Sequence, residues 1–269
     1  MVKKIEQQRD DLIGVDVGGT FTDIIRFDQK TGKILLAKVS STTKNQAFGV
    51  MKAISAVKSQ LSNVAMIIHG TTTTTNAVLE RKLSRTGLIT TKGFRDCLEL
   101  GRRTRPEPYG MKGHFVPIVP RDLRVEVDER LDFAGRVITP LDESAVRLAG
   151  EKLLKSGVES LVIHFLHSYA NPEHELRAAA ILAEFWPNDF VTMGHSLLSE
   201  SREFERGVTA AVNASVQPIL KKYIRKLVEE LSNAGYQSEL LVMNGNGGTV
   251  SADGVAREAA KTVMSGPAS

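Results

Sequence analysis

The sequence predicts an α/β fold, a mixed sheet covered by helices, and three observations predict it. Three short β-rich runs, LIGVDV (12–17), IIRF (24–27) and ILLAKV (34–39), follow one another across Gly-containing turns, the pattern of an antiparallel meander. After them, strand-length apolar runs alternate with segments of helical period as far as ELLVM (239–243), the rhythm of a sheet with helices on its faces. Finally, 269 residues, 42% hydrophobic and 25% charged, suffice to bury a core of that size.

Each element has its own signal. Phe48, Met51, Ile54 and Val57 fall at helical spacing behind Thr42 and Thr43, which predicts a helix within 42–61. VAMII (64–68) reads as a buried strand, TNAVLERK (75–82) as a short helix, GLIT (87–90) as a strand and FRDCLEL (94–100) as another short helix. From about 101 to 140, Pro and Gly recur every few residues, which predicts an excursion with a small strand pair around VEVDERLDFAGRVI. Leu141, Ala145, Leu148 and Leu153 then stripe a helix that Asp142 caps. VESLVIHFL (158–166) and FVTMG (190–194) read as strands around the helix PEHELRAAAILAEFW (172–186). A long amphipathic stripe from Val216 through Leu231 precedes ELLVM. In chain order the expected division is a flexible tail (1–11), a domain at 12–195 and, at 196–269, a helical connection opening a second domain. TVMSGPAS stops just after a Gly-Pro turn with no element to dock, so the sequence is expected to be cut from a longer chain.

Composition narrows the function. No run of 18 apolar residues occurs, which argues against a membrane span. MVKKIEQQRDD lacks the apolar stretch of a signal peptide, and Cys97 is the only cysteine, so neither a disulfide frame nor a cysteine metal cage is available. A cytoplasmic setting is expected. The net charge of +4 is modest, and the basic spots ERKLSR (80–85) and GRRTR (101–105) lack interleaved aromatics, which argues against nucleic acid. The histidines show no ligand spacing beyond His164 and His167, read as structural. Arg202 and Arg206 read as a solvated helix face.

The chemistry concentrates in DVGGTFTD (16–23). Gly18 and Gly19 permit a tight turn with outward backbone N–H groups, an anion nest, and Thr20 and Thr22 add hydroxyls. Asp16 would repel a phosphate unless a hydrated Mg²⁺ lies between them. Asp23 either orients the turn or caps it. A plain hairpin remains the alternative reading. The second stretch is HGTTTTTNAVLE (69–80), read as a Thr-rich strand-to-helix loop lining a phosphate or substrate site, with Thr72 and Thr73 as contacts. A β-branched strand extension with a Thr cap is its alternative. His69 and Asn76 bracket the run, His69 as a proton donor and Asn76 as an orienting group.

GVDVGGTFTD resembles the first phosphate motif of the actin, sugar-kinase and heat-shock-chaperone ATPases. The ordered set HGTTTTTNAVLERK, LITTKGFRDCLELGRRTRP, VDER, FLHSYANPEHE and SREFERGVTAAVNASVQP is similar to the hydantoinase A/oxoprolinase family, which includes ATP-dependent hydantoinases, 5-oxoprolinases and ketone carboxylase subunits. The resemblance implies an actin-like ATPase (ribonuclease H-like) domain plus the start of a second. It implies ATP and Mg²⁺ as cofactors and a hydantoinase B-type partner in a hetero-oligomer. It also implies a phosphate cradle of Gly18, Gly19, Thr20 and Thr22, with Asp16 as the Mg²⁺-water partner. Asp16, Thr20 and His69 are the candidate catalytic residues. Family chains continue into a second domain with another Asp-Gly-Gly-Thr loop and the adenosine pocket, so half a nucleotide site is expected here. VMNGNGGTV departs from the family's Ser-Asn/Asp-Gly-Gly pattern, and no role is assigned to Asn244 or Asn246; for Arg202 and Arg206 the resemblance implies a site-proximal helix in place of a solvated face, again with no role assigned. The leading reading is a subunit or N-terminal fragment of an ATP-dependent enzyme that phosphorylates a cyclic amide, of hydantoin or oxoproline type, for ring-opening hydrolysis; a ketone carboxylase, a non-catalytic assembly domain and a sugar-kinase-type enzyme are its rivals.

Overall fold

The computed structural model describes residues 9–42, 46–102, 109–110 and 116–265. Strand β1 (Asp11–Val17) pairs antiparallel with β2 (Phe21–Asp28), and β2 pairs antiparallel with β3 (Ile34–Ser40), so the meander is present. Alternation sets the faces: Ile13, Val15 and Val17 are buried, and Thr22 and Ile24 lie opposite them on the same side. Helix α1 (Gln46–Ala56) covers this side through Ala47, Val50, Ala53 and Ile54. Strand β4 (Val64–Thr71) runs parallel to β1, and α2 (Thr73–Leu79) follows after one residue. The five threonines are therefore not a loop: Thr71 ends the strand, Thr72 stands at the cap and Thr73 to Thr75 open the helix. Of the expected tail 1–11, residues 1–8 lie outside the described residues, while Asp11 is buried in β1 and ion-paired with Arg26 at 2.9 Å.

The chain then builds a second layer system: β5 (Thr86–Thr91), α3 (Cys97–Leu100), β6 (Arg124–Val127), the hairpin β7 (Arg130–Leu131) and β8 (Val137–Thr139), α4 (Glu143–Lys155), β9 (Ser160–His164), α5 (Glu173–Ala183), β10 (Val191–Met193) and the single turn α6 (Gly194–Leu197). Strands β10-β9-β5-β6 form a parallel sheet in that order. Every residue of β5 and β9 is buried, as expected of parallel strands covered on both faces. Two expectations shift. Val125 to Val127 join this sheet rather than the small hairpin, and the rest of the 101–140 excursion lies partly outside the described residues. Asp142 does cap α4, accepting from the Ala145 N–H at 2.9 Å, but Leu148 is exposed and the buried face is Val146, Ala149, Gly150 and Leu153. Close approach of α5 explains this: a Cβ on Gly150 would lie 2.5 Å from Leu182 Cδ2.

Helix α7 (Glu203–Asn233) follows, then β11 (Leu240–Met243) parallel to β4, β12 (Thr249–Ser251) antiparallel to β11, and the turn α8 (Ala252–Val255). Among the described residues the first sheet thus reads β12-β11-β4-β1-β2-β3. Its core is completed by Leu227, Leu231, Tyr236 and Leu240. The chain forms two compact units, residues 1–82 with 219–269, and residues 83–218. This crosses the linear division at 195/196, because β11 returns to the sheet begun by β1. Arg206, expected in solvent, is fully buried; it donates to the Phe165 carbonyl at 3.3 Å and pairs with Glu203. Among the described residues no helix is long and apolar enough to cross a membrane.

Candidate phosphate-binding site

The β1–β2 turn is built for tightness. The Gly18 N–H donates to the Phe21 carbonyl at 3.0 Å, which leaves Gly19 and Thr20 as a two-residue exposed tip. Neither Gly18 nor Gly19 is among the glycines with positive φ, so the expected conformational reason does not apply. Space is the reason instead: a Cβ on Gly18 would sit 3.0 Å from the Phe21 carbonyl oxygen. Ser41, which no sequence motif marks, clamps the turn from below. Its hydroxyl donates to the Gly18 carbonyl at 2.8 Å and its N–H to the Thr20 carbonyl at 2.9 Å. Its position just after β3, beside the turn, is the available signal.

Thr20 and Thr22 part company. Thr20 is exposed at the tip, whereas Thr22 is fully buried and its hydroxyl meets Ser41 Oγ at 2.9 Å. Thr22 therefore supports the turn rather than facing a ligand, because the period-two alternation from Val15 and Ile24 carries it to the covered side. Asp16 occupies the opposite side. It lies across from Asp23, which lies across from Lys38, and Lys38 Nζ reaches Asp23 Oδ1 at 2.8 Å. This row borders a cavity of about 540 Å³ whose floor includes Gly14, Ile68 and Gly70.

The Thr run meets the turn at one residue. Thr72 donates its N–H and its hydroxyl to the Val17 carbonyl, and Asn76 Nδ2 donates to Thr72 Oγ1 at 3.2 Å. Asn76 also borders Gly19, whose Cβ would stand 3.8 Å from Nδ2. The other threonines are engaged elsewhere: Thr73 with the Gln46 side chain, Thr74 with Thr262 at 2.9 Å and Thr75 with the Met264 N–H at 2.8 Å. The structure thus gathers Asp16, Gly18, Gly19, Thr20, Thr72 and Asn76 at the carboxyl ends of β1 and β4, where α/β sheets place ligands. Thr22 and Thr73 stand behind them.

His69 is not part of this group. It lies across from Val15 on the covered side, fully buried, with Nε2 2.8 Å from the Tyr223 hydroxyl. Burial drives its pKa down to about 4 and pushes that of Tyr223 up, so the pair is a neutral interior contact. Its period-two position in β4, read against Ile67, is the signal that it faces inward. As for a metal, no group of three His, Cys, Asp or Glu side chains among the described residues could hold one. A single carboxylate is nevertheless what Mg²⁺ takes beside phosphates and water, and half-buried Asp16 meets that description.

Residues 12–186 match the family model described as hydantoinase/oxoprolinase N-terminal region, and residues 206–269 match the hydantoinase/oxoprolinase model. Caprolactamase subunit alpha of Pseudomonas jessenii is 30% identical over 96% of this chain and 38% of its own length. The crystal structure of that ATP-dependent caprolactamase superposes with a TM-score of 0.84, at 31% identity over 96% of this chain and 39% of that one. The acetophenone carboxylase gamma subunit of Aromatoleum aromaticum is 32% identical over 95% of this chain and 37% of its own length. A nucleotide-free acetone carboxylase structure, from work on ATP-dependent acetone carboxylation, gives a TM-score of 0.83 at 28% identity, covering 96% of this chain and 39% of that one. The chain spans well under half the length of these relatives. The α/β fold with its mixed sheet is consistent with the actin-like ATPase fold.

Proposed function

Because the chain belongs to the hydantoinase/oxoprolinase family, we propose that it supplies part of an ATP-dependent enzyme that phosphorylates a cyclic amide, of hydantoin or oxoproline type, for ring-opening hydrolysis. The observation that carries this reading is the convergence of the Gly19–Thr20 tip, Asp16 and the Thr72–Asn76 pair at one sheet end. In this reading the tip's backbone N–H groups and the Thr20 hydroxyl bind the polyphosphate. Asp16 would hold Mg²⁺ through water, and the ion would supply charge neutralisation for the phosphates. Ser41 and Thr22 keep the turn rigid beneath, so that little reorganisation accompanies binding. The amide oxygen takes the phosphoryl group, which makes the ring carbon open to water.

A second reading, a ketone carboxylase subunit, is favoured by the likeness to acetophenone and acetone carboxylases. Relatives named as subunits support a hetero-oligomer; a partner of hydantoinase B type and a cytoplasmic setting are part of the proposal alone. The test is ATP turnover with the partner present. Stimulation by hydantoins, oxoproline or lactams supports the hydrolase, and stimulation by a ketone with bicarbonate supports the carboxylase. Asp16→Asn is expected to abolish turnover with folding intact; persistent turnover would remove Asp16 from the metal role.

A further inference from the structure

The cavity beside Asp16 has an ordered lining. Helix α1 covers one side of β1, β2 and β3, while on the other side Ile25 is 42% and Leu36 74% exposed. Strand register arranges this open side in two rows. Nearer the glycine turn, Gly70, Asp16, Asp23 and Lys38 stand side by side across β4, β1, β2 and β3. Two residues farther from the turn, Ile68, Gly14, Ile25 and Leu36 form a second row, apolar throughout. Both rows line the cavity of about 540 Å³, with Met243 beside them. That volume suits a small molecule.

The polar row carries a matched donor and acceptor. Lys38 Nζ lies 2.8 Å from Asp23 Oδ1 and 5.4 Å from the centre of the Phe21 ring, so the ammonium is held in place from two sides. Gly14 and Gly70 leave the floor bare, and glycine inside a strand marks close approach by a ligand or another backbone. Ile25 leans over Gly14, where a Cβ would lie 2.9 Å from Ile25 Cγ2, and forms a wall. Rows two residues apart along a strand are separated by about 6.5 Å, the breadth of one small heterocycle.

Amide geometry selects what fits. An open-chain secondary amide favours the trans form, in which N–H and C=O point in opposite directions. A small ring enforces the cis form, which presents both groups on one edge. That edge matches the ion pair: its N–H donates to the Asp23 carboxylate and its C=O accepts from the Lys38 ammonium. The ring carbons then cover the apolar row, which offers no partner to a charged substituent. The amide oxygen lies at the end of the cavity that Asp16 and the turn share.

We propose that this cavity is the acceptor subsite for an uncharged cyclic amide, with Asp23 and Lys38 selecting cis amides over trans, an inference that rests on the cyclic-amide reading. The test is ATP turnover by the complete protein with its partner. Whichever of hydantoin, 2-pyrrolidinone or ε-caprolactam stimulates best is compared with its N-methylated and open-chain counterparts. The ring should show a KM lower by about tenfold or more, the worth of one hydrogen bond to a charged group. Lys38→Met should raise the KM of the ring by a similar factor with little change in kcat, and Lys38→Arg should retain most of the affinity. Asp23→Ala should raise the KM of the ring but not that of its N-methylated form, which has no N–H to lose. Both side chains are more than half exposed, so neither change threatens folding.

Unchanged KM in Lys38→Met and Asp23→Ala, with the ring still stimulating turnover, would overturn the subsite and leave the hydrolase reading standing. Oxoproline as the best activator would overturn the choice of an uncharged ring. No stimulation by any cyclic amide would remove the underlying reading and the subsite with it. Hydroxyl-radical footprinting identifies the occupant: Leu36 should be protected only when the ring is added. Protection without it would mean that a polypeptide segment covers this face, and would overturn the proposal.

Discussion

Thr72 donates both its backbone N–H and its hydroxyl to the carbonyl of Val17, each at 3.1 Å. One residue thereby ties the end of β4 to the strand that enters the glycine turn. Thr72→Val keeps the shape and the backbone bond but removes both side-chain bonds, the one donated to Val17 and the one accepted from Asn76. We expect a stability loss of about 1 kcal/mol in urea unfolding. Mg-ATP binding should weaken by up to about tenfold, since 1.4 kcal/mol is a factor of ten. Unchanged binding would mean that this tie does not shape the ligand surface.

The two glycines of the turn should behave differently. Gly18→Ala places a methyl 3.0 Å from a backbone oxygen that cannot step aside, and should cost about 1–3 kcal/mol. Gly19→Ala meets nothing closer than 3.8 Å, so its folding stability should change by less than about 0.5 kcal/mol. Nucleotide titration should nevertheless show weaker binding for Gly19→Ala, because the methyl occupies the exposed tip. Equal thermal midpoints for the two variants would contradict the geometry.

His69 makes stability depend on pH. Its folded pKa of about 4 lies below the ordinary histidine value of 6.5, so the fold favours the neutral ring. The contribution is complete above about pH 6.5 and is lost as pH falls toward 4, where only the unfolded chain has taken up the proton. The loss should be about 3 kcal/mol, because each tenfold difference in proton affinity between the folded and unfolded chain is worth roughly 1.4 kcal/mol. Urea midpoints between pH 4 and 8 measure it, and His69→Gln should flatten the profile. A variant profile as steep as the wild type would assign the acid sensitivity elsewhere.

Gly150→Ala tests the α4–α5 contact. A methyl there would lie 2.5 Å from Leu182 Cδ2 and 2.8 Å from Phe185 Cζ. Alanine improves helix propensity by about 1 kcal/mol, while overpacking costs about 1–3 kcal/mol. A net loss is expected, seen as a lower thermal midpoint. A higher midpoint would show that the two helices yield readily.

The legible parts of the sequence are those encoded locally. Alternation in LIGVDV and the turn DVGGTFTD suffice for the meander, and Asp142 announces the start of α4. Partnership is not local. Nothing in ELLVM says that it pairs with VAMII, so the sequence alone places β11 in another domain. Facing is hidden where a single period-two step decides it: Thr22 and His69 look available as letters but lie on the covered side of their strands. Leu148 misleads likewise, because Gly150, not a large apolar residue, marks the contact with α5. Arg206 reads as solvated because a buried arginine depends on acceptors, Glu203 and the Phe165 carbonyl, that only the fold supplies.

The order of strands in the first sheet has a consequence for synthesis. β4 finds its second neighbour only when β11 emerges from the ribosome, after all of residues 83–218 have been made. At about 5–20 residues per second, that leaves on the order of ten seconds in which an apolar strand has one edge unpaired. The later-made unit can close in that interval from a contiguous stretch of chain, whereas the earlier one must wait. The nascent protein is most exposed to mispairing along VAMII, the strand that ends at the threonines.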